Sequence, residues 1–376
     1  MKTRYAWQQS DWRDFSYDAS ALEEFERKFL HLSGIAIGVQ RALSADNKEQ
    51  IKITFLSNEA EDTSAIEGVF LDRNSLQSSI QRYFQLKPPL SKNHPRENGI
   101  AQIMVDLYVN FNSPLTNETL CAWHQQLMNG RTDLEAIGQY RFHEDPMRIV
   151  SRHEDQVTVH YVAPPSHTIQ DEMEQFINWF NESRQMQSPL VRAGIAHLYF
   201  ELVHPFEDGN GRIGRALIEK SLAQSLGHPT LIAVSQTVNR HKKAYYDAIE
   251  AANTSNEITA WLRYFCQMVL DAQQFTIDSI EFLIQKTQFF DRYAAQLNER
   301  QHKLIQRIFR EDLKGFTGGV SVKNYISINK VSRATANRDL NDLVAKGIME
   351  RSGNAKTTRY WLILSTDAGT IEANGK

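Results

Sequence analysis

The chain has 376 residues, of which 41% are hydrophobic and 23% are charged, and its formal net charge is −3 at pH 7. This length predicts two or three domains with a sizeable core. The small net charge gives no overall preference for nucleic acid or membranes, so any basic surface must be local. Because the N-terminus lacks the apolar region of a signal peptide and no stretch reaches the length of a membrane span, we expect a cytoplasmic protein with no membrane partner.

Helical periodicity dominates the first half of the chain. It is found in residues 20–45, 47–66, 96–130 and 168–185, and Gly68 is a typical helix end after the second stretch. The segment "KPPLSKNHP" (87–95) concentrates prolines and polar residues, which predicts a domain boundary there. The segment "MRIVSRHEDQVTVHYVAPP" (147–165) has two β-rich runs around a polar turn and predicts a single hairpin.

Two further helices flank a short loop. The segment "LVRAGIAHLYFELV" (190–203) has apolar residues at helical spacing, and Pro205 ends it. The next helix is predicted to begin near Arg212 and to end at Gly227. Helical patterning resumes at residue 239 and continues to about residue 310, so the predicted fold class is mainly α.

The C-terminal part of the chain is locally basic. From Ser321 to Trp361 it carries eight Lys or Arg residues and three acidic residues. The sequence predicts a helix capped by Ser332 and then two short strands around a Gly-Asn turn. This is the order of a winged helix-turn-helix, and it predicts DNA binding through residues 299–376. A small helix and hairpin used for dimerisation or internal packing fits the pattern equally well.

The segment "HPFEDGNGRIGR" (204–215) spaces three glycines as G-x-G-x-x-G, like a dinucleotide-binding turn. That turn requires a preceding strand and an acidic residue about 20 positions later. Here the preceding segment is helical, and the region "LIAVSQTV" (231–238) contains no acid. The Walker pattern G-x-x-x-x-G-K-[ST] is also absent, so neither of these phosphate sites is present.

What remains is a loop that leads into the N-terminus of a helix, where free N–H groups and the helix dipole favour anions. Arg212 and Arg215 lie three residues apart on one helical face and could hold successive phosphates. His204 is a candidate general base, and Asp208 offers a hard oxygen ligand for Mg²⁺. Each residue alone is more often structural, but the combination favours a phosphate site.

This segment also carries a family resemblance. It matches H-P-F-x-[D/E]-G-N-G-R-x-x-R at every fixed position and therefore resembles the motif of Fic domains, together with "IGQYR" (137–141), "YVAPP" (161–165) and "AYYDAIEAAN" (244–253). The resemblance covers about residues 100–270. It implies a Fic-type helical core with a β-hairpin flap and transfer of AMP from ATP to a Tyr, Thr or Ser hydroxyl of a target protein. The predicted domains are 1–95, an N-terminal helical domain; 96–275, the catalytic core; 276–298, a connecting helix; and 299–376, the winged-helix-like domain.

The resemblance also implies residue roles. His204 would deprotonate the target hydroxyl, Asp208 would bind Mg²⁺ at the α- and β-phosphates, and Arg215 would reach the γ-phosphate. The hairpin would border the nucleotide and align the target by strand addition. The implied ATP-binding residues are Gly209, Asn210, Gly211, Arg212, Ile213, Gly214 and Arg215 in the motif, Val159, His160, Tyr161 and Val162 in the hairpin, and Tyr245, Tyr246 and Asn253 beside the adenine and ribose.

The segment "TSAIEG" (63–68) matches the family's inhibitory pattern [S/T]-x-x-x-E-[G/N] at Thr63, Glu67 and Gly68. By itself it is typical of any helix end. Beside a complete Fic motif, it implies that Glu67 pairs with Arg215 and so withholds this arginine from the γ-phosphate. The N-terminal block with Trp7 and Trp12 also resembles the helical segment that precedes such cores.

Other functions remain open at this point. The same site could remove AMP from a modified protein, with Glu67 orienting water, or the protein could be a DNA-binding regulator whose core senses nucleotide. Phosphate transfer from a reversed nucleotide is disfavoured by the intact "GNGR". The sequence leaves open the target protein, self-modification and a homodimer.

Overall fold

The computed structural model describes residues 5–41, 43–86, 94–153, 156–185, 188–310, 319–354 and 357–364. The chain forms two compact units, residues 1–276 and residues 277–376. The predicted boundary segment 87–95 lies mostly outside the described residues. Within the described ranges, no helix is both long enough and apolar enough to cross a membrane.

The first unit is built from helices and one hairpin. In the described residues its helices are α1 Glu23–Arg41, α2 Ala45–Ile66, α3 Arg73–Tyr83, α4 Pro95–Val109, α5 Asn117–Leu127, α6 Ile169–Glu182, α7 Pro189–Val203, α8 Asn210–Leu226, α9 Val234–Arg240, α10 Lys242–Ala252 and the first half of α11 Thr259–Tyr293. Strands β1 Arg148–His153 and β2 Gln156–Val162 pair in an antiparallel hairpin with an irregularity between Ile149 and Val150. The predicted mainly α fold class is confirmed.

Two predicted helix bounds need correction. The stretch 96–130 is two helices, because the segment 110–116 leaves the helical path and Thr116 then caps α5 by accepting a hydrogen bond from the Thr119 N–H. Helix α8 begins at Asn210, two residues earlier than predicted, because Gly209 adopts the left-handed conformation (φ 86°) that turns the chain into the helix.

Helix α7 is the centre of the first unit and is buried along almost its whole length. On one side, Phe200 of α7 packs in a cluster that includes Trp123 and Phe176. Another side of α7 packs with Trp261 and Phe265. Burial of each such side chain stabilises the fold by about 1.5–3 kcal/mol. Because α7 and α8 are both anchored in this core, the loop between them has fixed ends.

The second unit is a small helix and hairpin domain. Its remaining elements are α12 Glu299–Arg310, α13 Val322–Asn329, α14 Arg333–Ala345, β3 Met349–Ser352 and β4 Arg359–Leu362. The two strands are antiparallel, and Val320 forms a further bridge to Tyr360. As the sequence predicts, Ser332 caps α14, accepting a hydrogen bond from the Thr335 N–H. Residues 355–356 of the predicted turn and the tail 365–376 lie outside the described part.

Candidate active site

His204 stands at the end of α7 in the left-handed conformation (φ 49°), directly before Pro205. Its Nδ1 lies 3.3 Å from the carbonyl oxygen of Glu201. Because a carbonyl oxygen only accepts, Nδ1 donates this bond, and Nε2 keeps its lone pair. Burial lowers the pKa of His204 to about 4, so the ring is neutral at pH 7. A neutral imidazole with a free lone pair can accept a proton.

The loop after His204 is held by hydrogen bonds inside it and by side chains behind it. Asn210 donates through Nδ2 to the Phe206 carbonyl (2.8 Å) and accepts from the Phe206 N–H (2.9 Å). The His124 ring stacks on Phe206 with centroids 4.1 Å apart. A Cβ at Gly209 would lie 2.5 Å from the Met128 Cε. The loop is therefore tightly packed, and the side chain of Asn210 is used within it.

Arg215 and Glu67 meet at the first turns of α8. The Arg215 Nη2 lies 2.8 Å from the Glu67 Oε1 and 2.9 Å from the Thr63 carbonyl oxygen, and its Nε donates to the Thr63 hydroxyl (2.8 Å). A Cβ at Gly211 would overlap the Glu67 carboxylate, so Glu67 lies directly against the backbone of α8. The side chain of Arg215 is only 1% exposed. Burial alone would lower the pKa of Arg215, but the charge of Glu67 raises it.

Asp208 is also paired with basic residues. Its Oδ2 lies 2.7 Å from the Arg131 Nη1, and its Oδ1 lies 3.2 Å from the Arg212 Nη2. Burial alone would raise the pKa of Asp208, but the Arg131 hydrogen bond and the Arg212 charge hold it below its usual range. The described residues contain no group of three or more His, Cys, Asp or Glu that could hold a metal. One carboxylate suffices when substrate phosphates complete the shell of Mg²⁺, so the site fits this ion.

Three residues that sequence analysis did not single out complete the site. Burial raises the pKa of Glu201 to about 8, and its Oε2 lies 4.0 Å from the His204 Nδ1. Arg141 is 3% exposed and donates to the carbonyl oxygens of His204 and Pro164, which ties the loop to the end of the hairpin. Arg141 is the last residue of "IGQYR" (137–141), and this segment could have identified it from the sequence. The i,i+3 spacing of Glu201 and His204 was a further signal, whereas nothing in the sequence indicated Arg131.

The predicted nucleotide-side residues differ in their accessibility. Tyr245 is 1% exposed, and its hydroxyl lies 2.7 Å from the His197 Nε2. Tyr246 is 40% exposed, and burial of its hydroxyl beside the Glu67 carboxylate raises its pKa. Of the two tyrosines, Tyr246 is therefore the one that a ligand can reach.

Two motif residues face α7 or the core rather than the loop. The Ile213 side chain is 1% exposed and packs in the same cluster as Phe200. Gly214 lies against α7, where a Cβ would come within 2.5 Å of the Glu201 Oε1 and 3.0 Å of the His197 Nδ1. Gly214 therefore allows the close approach of α7 and α8.

The hairpin edge is partly occupied by side chains of the first unit. The Trp7 Nε1 donates to the Val162 carbonyl (2.8 Å), and the Asn253 Nδ2 donates to the His160 carbonyl (3.1 Å). The Tyr161 hydroxyl donates to the Leu202 carbonyl (2.7 Å), which fixes β2 on α7. The predicted strand addition along 159–162 would therefore have to share or displace the bonds at residues 160 and 162. Val159, 44% exposed, lies beyond these bonds.

Sequence comparison identifies related domains. Residues 114–222 match the Fic/DOC family, and residues 5–86 match a domain of unknown function (DUF4172). A protein adenylyltransferase Fic from Aedes aegypti is 32% identical over 138 residues, which are 36% of this chain and 26% of that protein. The protein adenylyltransferase fic-1 of Caenorhabditis elegans is 33% identical over 122 residues, 32% of this chain and 23% of that protein. The chain thus spans about a quarter of the length of these relatives.

Solved structures share the fold. A Fic family protein from Desulfovibrio desulfuricans G20 superimposes with a TM-score of 0.53 at 21% identity, covering 94% of this chain and 98% of that one. Fic-1 (residues 134–508) from C. elegans gives a TM-score of 0.50 at 20% identity, covering 70% of this chain and 74% of that one. At these identities the likeness concerns the fold.

Proposed function

We propose that the protein is an adenylyltransferase that transfers AMP from ATP to a Tyr, Thr or Ser hydroxyl of a target protein, on the premise that its residues 114–222 match the Fic/DOC family. The observation that carries the proposal is the loop 204–215, in which a neutral histidine stands opposite the N-terminus of α8 and its arginines. The activity named for the relatives agrees with this chemistry.

In the proposed reaction, the target hydroxyl oxygen attacks the α-phosphorus of ATP. Its proton passes to the lone pair of the His204 Nε2, the bond from the α-phosphorus to the bridging oxygen breaks, and pyrophosphate leaves. The first N–H groups of α8 have no partner within the helix, so they can stabilise the phosphate charge. Transfer of this kind depends mainly on positioning and electrostatic stabilisation, which a rigid loop supplies.

The arginines would hold the remaining phosphates. Arg212 lies beside the loop and Arg215 lies one turn further along α8, so they suit the β- and γ-phosphates in succession. Asp208 would hold Mg²⁺, which when bound neutralises phosphate charge. Arg131 and Arg212 both contact Asp208. Loading of the metal would therefore require Asp208 to exchange at least part of these contacts.

We further propose that Glu67 inhibits the enzyme. Its bond to the Arg215 Nη2 occupies the guanidinium that would bind the γ-phosphate. Its position against Gly211 also fills the space beside the first turn of α8. A charge-assisted hydrogen bond of this kind contributes about 1.5–3 kcal/mol, so its removal is expected to increase productive ATP use about 10- to 100-fold.

The test compares the wild type, Glu67→Gly and Glu61→Gly after incubation with lysate and ATP labelled at the α- or the γ-phosphate. Glu61 is a matched control, because it lies on the same helix but pairs with Arg73. We expect strong α-label on protein with Glu67→Gly and little with the other two. Label from the γ-phosphate alone would mean phosphorylation and would refute the proposal. Equal α-labelling by all three would remove the inhibitory role of Glu67 and leave the transfer reaction intact.

A further inference from the structure

The second unit has a basic face that the proposed transferase reaction does not use. We infer that this face binds duplex DNA, with α14 in the major groove and residues of α13 and β3 on the phosphate backbone. The sequence left DNA binding and a purely structural use of this domain equally open. The positions of its acidic and basic side chains decide between them.

Both acids of α14 are paired with side chains of this unit, and one of them is buried. Asp339 is 4% exposed and accepts hydrogen bonds from the Arg300 Nε (2.7 Å) and the Tyr325 hydroxyl (2.8 Å). Asp342 accepts from the Gln301 Nε2 (2.7 Å) and pairs with Lys346. Asp339 is therefore withdrawn from the surface, and the charge of Asp342, whose side chain is 43% exposed, is offset by Lys346. The remaining acid of the described segment 319–354 is Glu350, on β3.

The outer face of α14 carries donors suited to base edges. Arg333, Asn337, Arg338 and Asn341 are all exposed, and their spacing places them along one side of the helix. Arginine donates in pairs to the guanine O6 and N7, and asparagine bonds adenine at N6 and N7. None of these four side chains has a hydrogen-bond or ion-pair partner among the described residues. Their donors are therefore available to a ligand.

Further cations flank this helix. Lys323 on α13, Lys330 in the turn before α14 and Arg351 on β3 are exposed. Lys330 adopts a left-handed conformation (φ 53°) that ends α13 and lets α14 start three residues later. This short turn between two helices is the arrangement in which a second helix enters the major groove while the first crosses the backbone. The lysines and Arg351 would supply phosphate contacts, which position without specifying sequence.

A protein partner and an RNA duplex fit this face less well. In the described part of this unit, Ile363 is the one large hydrophobic side chain that is exposed (40%). It lies outside α14. The helix therefore lacks the aromatic or aliphatic anchor of a protein interface. The major groove of an RNA duplex is too deep and narrow for side chains to read.

The experiment uses the full chain and random duplex DNA. Rounds of selection are followed by fluorescence anisotropy on the enriched duplex over a range of salt concentrations. The variants are Asn337→Ala and Arg338→Ala on α14 and Lys323→Ala on α13. Lys28→Ala, an exposed lysine of α1 in the first unit, matches the charge change, and His204→Ala tests independence from the catalytic site.

We expect an enriched sequence motif. Arg338→Ala and Asn337→Ala should weaken binding of that motif about 10- to 100-fold and relax its selection at defined positions. Lys323→Ala should weaken all duplexes alike and reduce the salt slope by about one. Lys28→Ala and His204→Ala should bind like the wild type.

Several outcomes would overturn the inference. The first is that the protein does not bind DNA at low salt although its circular dichroism spectrum shows that it is folded. The second is equal weakening by Lys28→Ala, which would mean nonspecific attraction to any basic surface. The third is equal competition by duplex RNA or heparin against the enriched DNA. None of these results bears on AMP transfer, so the two proposals stand or fall separately.

Discussion

The candidate catalytic loop (residues 204–215) and the outer face of α14 both carry arginines, but the surroundings of these arginines differ. In the loop, Arg215 is bonded to Glu67, and Arg212 and Arg131 are bonded to Asp208. On α14 Asp339 bonds inward and Asp342 pairs with Lys346, while Arg333 and Arg338 remain exposed to solvent. A ligand of the first region must displace carboxylates of the chain itself, whereas a ligand of the second meets free cations.

This difference has a consequence for regulation. A site filled by its own side chains can be opened by a change that removes one contact, so its activity can be controlled from within the chain. A site of free cations responds instead to ionic strength, because counterions are its main competitors. Under the two proposals, arginine thus forms one binding site that the chain itself blocks and another that is open to solvent.

The largest expected effect tests the chemical step on its own, after the contact between Glu67 and Arg215 has been removed. In the Glu67→Gly background, His204→Ala should lower labelling from α-labelled ATP about 10²- to 10⁴-fold, because the general base is lost. ATP affinity, measured by calorimetry, should change little, since the phosphate-binding arginines are intact. If the double variant keeps more than a tenth of the rate, His204 is not the base.

A second prediction concerns the neutral state of His204. Burial lowers its pKa to about 4, so it becomes protonated about 2.5 pH units below an ordinary histidine. Because the base must be neutral, lowering the pH from 7 to 6 should leave it competent. Histidine ring NMR of the full chain, with the signal assigned by its loss in His204→Ala, should show titration below pH 5. Titration near pH 6.5 would contradict the burial seen here.

The smallest expected effect concerns the ion pair between Arg131 and Asp208. Arg131→Ala should lower the Mg²⁺ concentration needed for half-maximal labelling by Glu67→Gly, up to about five-fold, because Arg131 no longer competes for Asp208. The pair is partly exposed, which limits its strength to about 1 kcal/mol. Asp133→Ala is the control, since it leaves Arg131 beside Asp208. An unchanged or higher Mg²⁺ requirement in Arg131→Ala would show that the two do not compete.

How well the site can be predicted from the sequence depends on how far apart its residues lie along the chain. The twelve consecutive residues 204–215 carry their own signature, and "TSAIEG" identified Glu67 through the family resemblance although Arg215 is 148 residues away. The contact of Arg131 with Asp208 joins segments 77 residues apart without any pattern, and that of Trp7 with the hairpin joins segments 155 residues apart. Such contacts arise from tertiary packing, which periodicity does not encode.

The fold was predictable to a similar degree. Helix type and the hairpin follow from apolar spacing, which is local. The break inside 96–130 was missed although Pro114 and its polar neighbours signal it, because the apolar residues on each side of it have helical spacing among themselves. The burial of Tyr245 was also missed, because two adjacent tyrosines on a helix give no indication of which one faces the core.

The two bonds from Thr63 to Arg215 have a consequence of their own. Thr63 accepts both bonds and neither involves the Glu67 side chain, so we expect them to persist in Glu67→Gly and to restrict the guanidinium to one orientation before any phosphate binds. Fixing an arginine side chain in one rotamer costs about 2 kcal/mol of entropy. Because Arg215 is already fixed in the folded chain, phosphate binding does not have to supply this free energy. In the proposed mechanism, helix α2 is therefore both the source of inhibition and the element that orients Arg215. A truncation that removes the helix should give a poorer enzyme than a substitution that removes only the carboxylate.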